Sequence, residues 1–369
     1  MTAVPLSVLD LVHVSSGSNP REAVRHSVDL ARRAEEFGYV RYWFAEHHLN
    51  PGVAGVSPAL TIALAAAATD EIRIGAAAVQ MGHRSALSTA EEFGLLDAAH
   101  PGRIDLGLGR SGGRPPATQG PARAHTEVLP GGLVLPPPFS FARLAQSPRF
   151  ALQRDLLLGT DPTPQPYGEQ VDDLLALLDG SYRHPNGEEA HVTGEGADLQ
   201  IWIHGSSAGE SAAVAGRHGL RFGANYHVAP ANVLEAIDAY RTHFRPSARL
   251  TSPHVIVSAD VVVAETDDAA RELASGYGPW VRSIRTGEGA IPYPTPQEAR
   301  ALPWSDSDSS LVSDRLATQF VGTATRVADQ LQVLQEATGA DELLVTTITH
   351  DHDDRVRSFQ LLAKEWQQR

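Results

Sequence analysis

IRIGAAAVQMGHRSALSTAEEFGLLDAAHPGRIDLGLG, residues 72–109, carries the reading of the fold. It opens on an apolar run, Ile72–Val79, crosses a polar joint, and enters a helical pattern that Ser88 and Glu91 would open as a capping box. Pro101-Gly102 stops that helix, and a second apolar run, Arg103–Leu108, follows at once. Strand, helix and strand with short breaks form the unit of a parallel sheet, whose strands are covered on both faces and read as unbroken apolar runs.

The same rhythm extends in both directions. Towards the N-terminus lie a strand at Leu6–Val12 and a helix with Asn19 as N-cap, Pro20 at its first position and Gly38 as its stop. A strand at Tyr39–Ala45 and an alanine-rich helix from Ser57-Pro58 to Thr69 follow. Towards the C-terminus, breaker residues fill a long departure from Gly109 to Pro166. The alternation then resumes: helix Tyr167–Leu178, strand Leu199–Ile203, helix Gly209–His218, strand Leu220–Ala224, helix Pro230–Phe244 and strand His254–Val263. Thr266 can cap a further helix, a second irregular stretch runs from Gly276 to Ser310, and helix Ala324–Glu336 leads to strand Glu342–Thr347 and a last helix.

Eight strands, each followed by a helix, predict a closed (β/α)8 TIM barrel with long insertions after strands 4 and 7. No linker divides the 369 residues, so the expectation is one domain, with an insertion at 112–166 and a lid at 276–310. Both exceed ordinary loop lengths and both follow strands, which puts them over the C-terminal face where barrel active sites lie.

Composition removes several classes of function. A formal charge of −14 opposes nucleic acid and anionic membrane surfaces. Cysteine is absent, which removes thiolate chemistry, and the one lysine, Lys364, sits in the last helix, away from any strand end. No apolar run is long enough to span a bilayer, so the expectation is a cytoplasmic protein that engages no membrane.

Chemistry is sought just beyond each strand. The second strand runs into Glu46-His47-His48, whose imidazoles suit proton transfer near neutral pH, although carbonyl-satisfied histidines would look the same. The fifth runs into Gly205-Ser206-Ser207, where free N–H groups at a helix start favour an anion, although either serine could simply be an N-cap. Arg110, ending the neighbouring strand, adds a forked donor suited to phosphate.

Two other motifs are decoys. Gly107-Leu108-Gly109-Arg110-Ser111-Gly112 matches a dinucleotide fingerprint, but Pro115-Pro116 forbids the helix it needs. His350-Asp351-His352-Asp353-Asp354 looks like a metal box, but Asp353 or Asp354 is placed to cap the last helix, and no metal site is expected.

In order and spacing, Tyr42–His48, Ile72–Val79, Ala90–Asp97 and Gly102–Arg110 resemble the luciferase-like flavin monooxygenases of the bacterial luciferase family. Weaker similarity runs through Ile203–Gly223 and Phe320–Trp366. The resemblance implies that His47, with His48 beside it, assists oxygen chemistry at the reactive edge of a flavin. It implies that Arg110 with Gly205, Ser206 and Ser207 clamps the FMN phosphate. It implies also that Ala77 and Ala78 support the flavin ring, often through a non-proline cis peptide. The implied activity is oxygenation of a small organic substrate with reduced FMN and O2, the flavin arriving from a separate reductase. A deazaflavin coenzyme, or flavin binding without turnover, stays open, and the alanine-rich second helix suggests a homodimer.

Overall fold

The computed structural model describes residues 3–110, 124–140, 144, 146–159 and 165–369. Eight parallel strands close into a barrel: β1 (Leu6–Asp10), β2 (Arg41–Phe44), β3 (Arg73–Ala76), β4 (Ile104–Gly109), β5 (Gln200–Gly205), β6 (Arg221–Asn225), β7 (Val255–Val263) and β8 (Glu342–Thr346). Closure is direct, because Leu6 of β1 pairs with Leu343 of β8 while Val255 of β7 pairs with Phe222 of β6. The helices that cover it are α1 (Pro20–Glu36), α2 (Pro58–Ala66), α3 (Ala86–Ala99), α4 (Tyr167–Leu178), α5 (Glu210–Arg217), α6 (Val233–His243), α7 (Ala324–Thr338) and α8 (His352–Trp366).

Local sequence signals account for most boundaries. The Asn19 side chain accepts from Glu22 N at 3.2 Å, a cap worth about 1 kcal/mol. Gly38 turns the chain out of α1 with φ +83°. Thr266 caps the helix Asp267–Leu273 as expected. Two caps differ from expectation. Ser85, not Ser88, caps α3, because the 3₁₀ turn Met81–His83 delivers the chain to Ser85 in extended conformation. Asp351, not Asp353 or Asp354, caps α8, taking the N–H groups of both.

Two larger departures matter more. The expected strand Ile72–Val79 breaks after Ala76, and Ala77 and Ala78 are joined by a cis peptide before Val79–Gln80 rejoins β4. The expected irregular stretch Gly276–Ser310 holds helices Tyr277–Arg285 and Pro296–Ala301 and the start of Asp306–Thr318. Its polar composition hid Tyr277, Trp280, Val281 and Tyr293, which are buried against Leu11, Trp43 and Ala45 of the barrel. The segment is a packed roof. Within 112–166, the described residues include a small hairpin (Glu127–Val128 with Val134–Leu135) and the helix Pro148–Leu158; residues 111–123, on which part of the dinucleotide-like motif falls, lie outside the description.

Two cores result. A large one lies between sheet and helices; a smaller one fills the barrel interior and its roof. At the N-terminal end the interior is closed by charges rather than by apolar side chains. Arg41 bonds Asp105 at 2.6 Å and Glu342 at 3.1 Å, Arg73 bonds Asp105 at 2.6 Å, and Ser7 donates to Glu342. Arg41 and Arg221 also lie over the ring of Trp202, at 5.1 and 5.6 Å. Arg41, Arg73, Asp105 and Glu342 neutralise one another on the spot, which makes their burial tolerable.

Candidate active site

The C-terminal ends of β2 to β7 converge beneath the roof. Glu46, just past β2, is 3% exposed and is the fixed point of the rim. Its carboxylate accepts from Gln80 N at 2.9 Å, from His48 Nε2 at 2.9 Å and from His83 Nε2 at 3.1 Å, and Arg84 approaches to 3.5 Å. Burial alone would raise its pKa, but the bonds from His83 and Gln80 outweigh burial and hold it below the ordinary carboxylate value. Gln80 Nε2 also donates to Glu46 O at 2.7 Å, tying the end of β2 to the segment that follows β3.

This arrangement separates the two histidines expected to act together. His48 spends its Nε2 on Glu46 and meets His83 edge-to-face at 5.1 Å, so it braces the rim. His47 is held by its backbone, which donates to Gly55 O at 2.8 Å, while its buried Nδ1 has no partner among the described residues. Burial drives its pKa down to about 4, against the opposing pull of Glu46, so the ring is neutral at pH 7. Its side chain nevertheless keeps some accessible surface. A side chain both partly accessible and strongly desolvated lines a recess.

Glu46, His48 and His83 are also spaced as a cation site would be. Their atoms satisfy one another at hydrogen-bond distances, however, and the guanidinium of Arg84 is already beside the carboxylate. We read the trio as a brace. The C-terminal metal-like box does not assemble either: His350 bonds Ser16 O at 3.0 Å and His352 bonds Asp29 at 3.0 Å.

Beyond β3, Ala77 N donates to Phe44 O at 2.8 Å, which sets the Ala77–Ala78 cis peptide beside the end of β2. The glycine of β4 at Gly107 serves packing: a Cβ there would overlap the Ala76 carbonyl oxygen and stand 2.8 Å from His204 Nε2. On the far rim, β4 and β5 are paired through Gly109 and His204, so Arg110 leaves β4 beside the Gly205–Ser207 turn. Arg110 is a quarter exposed and lies 3.7 Å from Glu210, the first residue of α5. Neither Ser206 nor Ser207 is an N-cap; Gly209 occupies that position and no side chain caps the helix. Among the described residues, the first N–H groups of α5 thus stay available beside a guanidinium, an arrangement that favours an anion.

Several residues of this region were not singled out from sequence. His204, at the end of β5, stands edge-on to Trp43 at 5.5 Å and is driven by burial to a pKa of about 4. His227, just past β6, sets its Nδ1 2.5 Å from Ser258 Oγ on β7. Asp260, two residues on, accepts from Tyr277 and from Arg315 at 3.1 Å, which binds the roof to the barrel. Arg285 and Asp314 join two roof helices in a forked pair. Isolated histidines and roof charges carry no local motif. Only the strand-end positions of His204 and His227 could have drawn notice.

Comparison with known proteins gives a consistent result. The sequence profile of luciferase-like monooxygenases matches residues 4–128 and 173–342. An uncharacterised Bacillus subtilis protein, YvbT, is 36% identical over 99% of this chain and 97% of its own. A luciferase-like monooxygenase of Escherichia coli K12 is 34% identical over 97% and 96%. Among solved structures, apo-MsnO8 superposes with a TM-score of 0.76 at 32% identity, covering 99% of this chain and 98% of that one. Two more distant structures share the fold. The oxygenating constituent of 3,6-diketocamphane monooxygenase from Pseudomonas putida, in complex with FMN, has a TM-score of 0.67 at 18% identity, covering 100% and 99%. An F420-dependent secondary alcohol dehydrogenase has 0.60 at 13%, covering 99% of each.

Proposed function

Because the chain belongs to the luciferase-like monooxygenase family, we propose that it uses reduced FMN and O2 to oxygenate a small organic substrate. The observation that carries this reading is the placement of a neutral, partnerless His47 at one side of the barrel mouth and of Arg110 with the uncapped start of α5 at another. A phosphate on a flavin fits the second feature, and an uncharged ring fits the first.

In this assignment Arg110 and the N–H groups of Gly205–Ser207 and α5 hold the phosphate, with the seryl hydroxyls as further donors. Ala77 and Ala78 offer a small, flat wall for the ring. Reduced FMN, when bound, supplies two electrons with which one atom of O2 goes to the substrate and the other to water. The protein supplies the rest. His47, neutral at pH 7, can hold a proton on one ring nitrogen and accept one on the other. Glu46, His48, His83 and Gln80 keep its backbone fixed. The roof excludes water from the recess, with Asp260, Tyr277 and Arg315 holding it down.

Titration of the purified protein with FMN and with anaerobically reduced FMN, followed by flavin fluorescence and absorbance, tests this reading. Binding of neither form ends it. A deazaflavin coenzyme is the second reading, because F420-dependent enzymes share the fold. Comparing the two affinities decides. If reduced flavin binds but consumes no oxygen, the protein is a flavin carrier.

We extend the proposal to a homodimer. Leu60 and Leu64 of α2 and Leu87 and Leu95 of α3 are 68, 51, 47 and 64% exposed, an apolar face that a second copy would cover. A separate reductase would supply the reduced flavin. Among the described residues no helix is long and apolar enough to cross a membrane.

A further inference from the structure

His227 stands out among the buried histidines because its surroundings fix one ring nitrogen and leave the other over. Its backbone N–H donates to Ser258 O at 3.2 Å, and its Nδ1 lies 2.5 Å from Ser258 Oγ. The loop that carries it is pinned on both sides. Tyr226 O–H donates to Val134 O at 2.8 Å, and Ala229 N donates to Asn225 O at 3.1 Å. Asp260, the carboxylate nearest on β7, is already engaged by Tyr277 and Arg315, so His227 belongs to no ion pair. Among the described residues, its Nε2 has no partner. Like His47, it is strongly desolvated, with a pKa lowered to about 4, yet keeps some accessible surface, the condition of a recess-lining group.

Its position says what it faces. Strands β2 and β6 are four apart in a ring of eight, so His47 and His227 stand on opposite sides of the mouth. A charge on His47 would add to the lowering of the His227 pKa, which burial dominates. Ala224 of β6 is the strand partner of Gly205, so His227 lies three residues beyond the partner of the proposed phosphate turn. A ligand held at that turn therefore starts beside His227.

We propose that His227 is a second flavin-facing imidazole: with Nδ1 fixed by Ser258, its Nε2 exchanges a hydrogen bond with the uncharged carbonyl and N–H edge of a flavin ring lying between it and His47. The inference rests on the FMN reading above. A neutral imidazole suits that edge, since neither partner carries a charge to desolvate.

The test uses the intact protein labelled with ¹⁵N in its histidine rings. FMN is the probe, and His227 signals are assigned by their loss in His227→Gln. Saturating FMN is expected to move the Nε2 resonance of His227, and Ser258→Ala to move its Nδ1 resonance before any flavin is added. His227→Leu is expected to weaken FMN about five- to tenfold, one neutral hydrogen bond, with His227→Gln recovering part of the loss. Unmoved His227 signals on FMN saturation overturn the proposal whatever the affinities do, and if His227→Gln fails to fold, their loss in His227→Leu gives the assignment instead. Moved signals with unchanged affinity in His227→Leu place the ring beside the flavin without a bond, which also overturns it. If wild-type protein binds no FMN, the parent reading fails, a result distinct from FMN binding that leaves His227 untouched.

Discussion

Replacing Arg110 by methionine keeps much of the side chain's bulk and removes its charge. A hydrogen bond to a charged group contributes about 1.5–3 kcal/mol, a factor of roughly 10 to 150 in affinity. Two features place Arg110 at the low end. It is a quarter exposed, so water screens it, and Glu210 at 3.7 Å already offsets part of its charge. The expectation is therefore a loss of about tenfold in FMN affinity for Arg110→Met. Glu210→Gln, which removes the competing carboxylate, should gain roughly two- to threefold. The assay is quenching of flavin fluorescence at low salt and at 0.5 M salt, with riboflavin as the control because it lacks the phosphate. Arg110→Met should leave riboflavin affinity unchanged and should flatten the salt dependence of FMN binding. An equal loss for both flavins would refute the reasoning, since the arginine would then be holding the fold or the ring. So would an unchanged FMN affinity.

Other consequences can be checked as directly. His13 has a pKa near 3, and His47, His204 and His227 near 4, all lowered chiefly by burial. A histidine depressed below its unfolded value of about 6.5 takes up its proton on unfolding, so its stabilisation is complete above that pH and is lost as pH falls towards the folded value. Urea midpoints should fall between pH 6.5 and pH 5, before most carboxylates titrate, and His204→Phe should flatten the slope; a flat wild-type profile contradicts the burial account. Gly107→Ala should cost about 3 kcal/mol or more, a melting temperature roughly 4 °C or more below wild type, because the new Cβ meets the Ala76 carbonyl as well as a ring; a melting temperature within about 1 °C of wild type would exclude that. Leu60→Glu with Leu64→Glu should convert a dimer to monomers in light scattering without changing the circular dichroism; a wild-type monomer would remove the premise.

The barrel was legible because its strands are buried on both faces. Runs such as Leu220–Ala224 and His254–Val263 needed no partner information to be read, and their observed limits shift by a residue or so. The roof was not legible. Tyr277, Trp280 and Tyr293 are scattered among Gly, Pro, Ser and Asp, and their burial depends on a barrel interior assembled from distant sequence. Of the candidate site, strand-end logic named His47, Arg110 and Gly205–Ser207, and the register sets Arg110 beside that turn. It could not tell that His48 would be spent on Glu46, a contact that needs His83 and Gln80 from beyond β3. The capping of α3 went to Ser85 because a 3₁₀ turn preceded it, and a local pattern at Ser88 carries no sign of that turn.

The ion-paired floor formed by Arg41, Arg73, Asp105 and Glu342 bears on traffic. Among the described residues the barrel is plugged at its foot, so on the flavin reading coenzyme, substrate and product would all pass on the roof side.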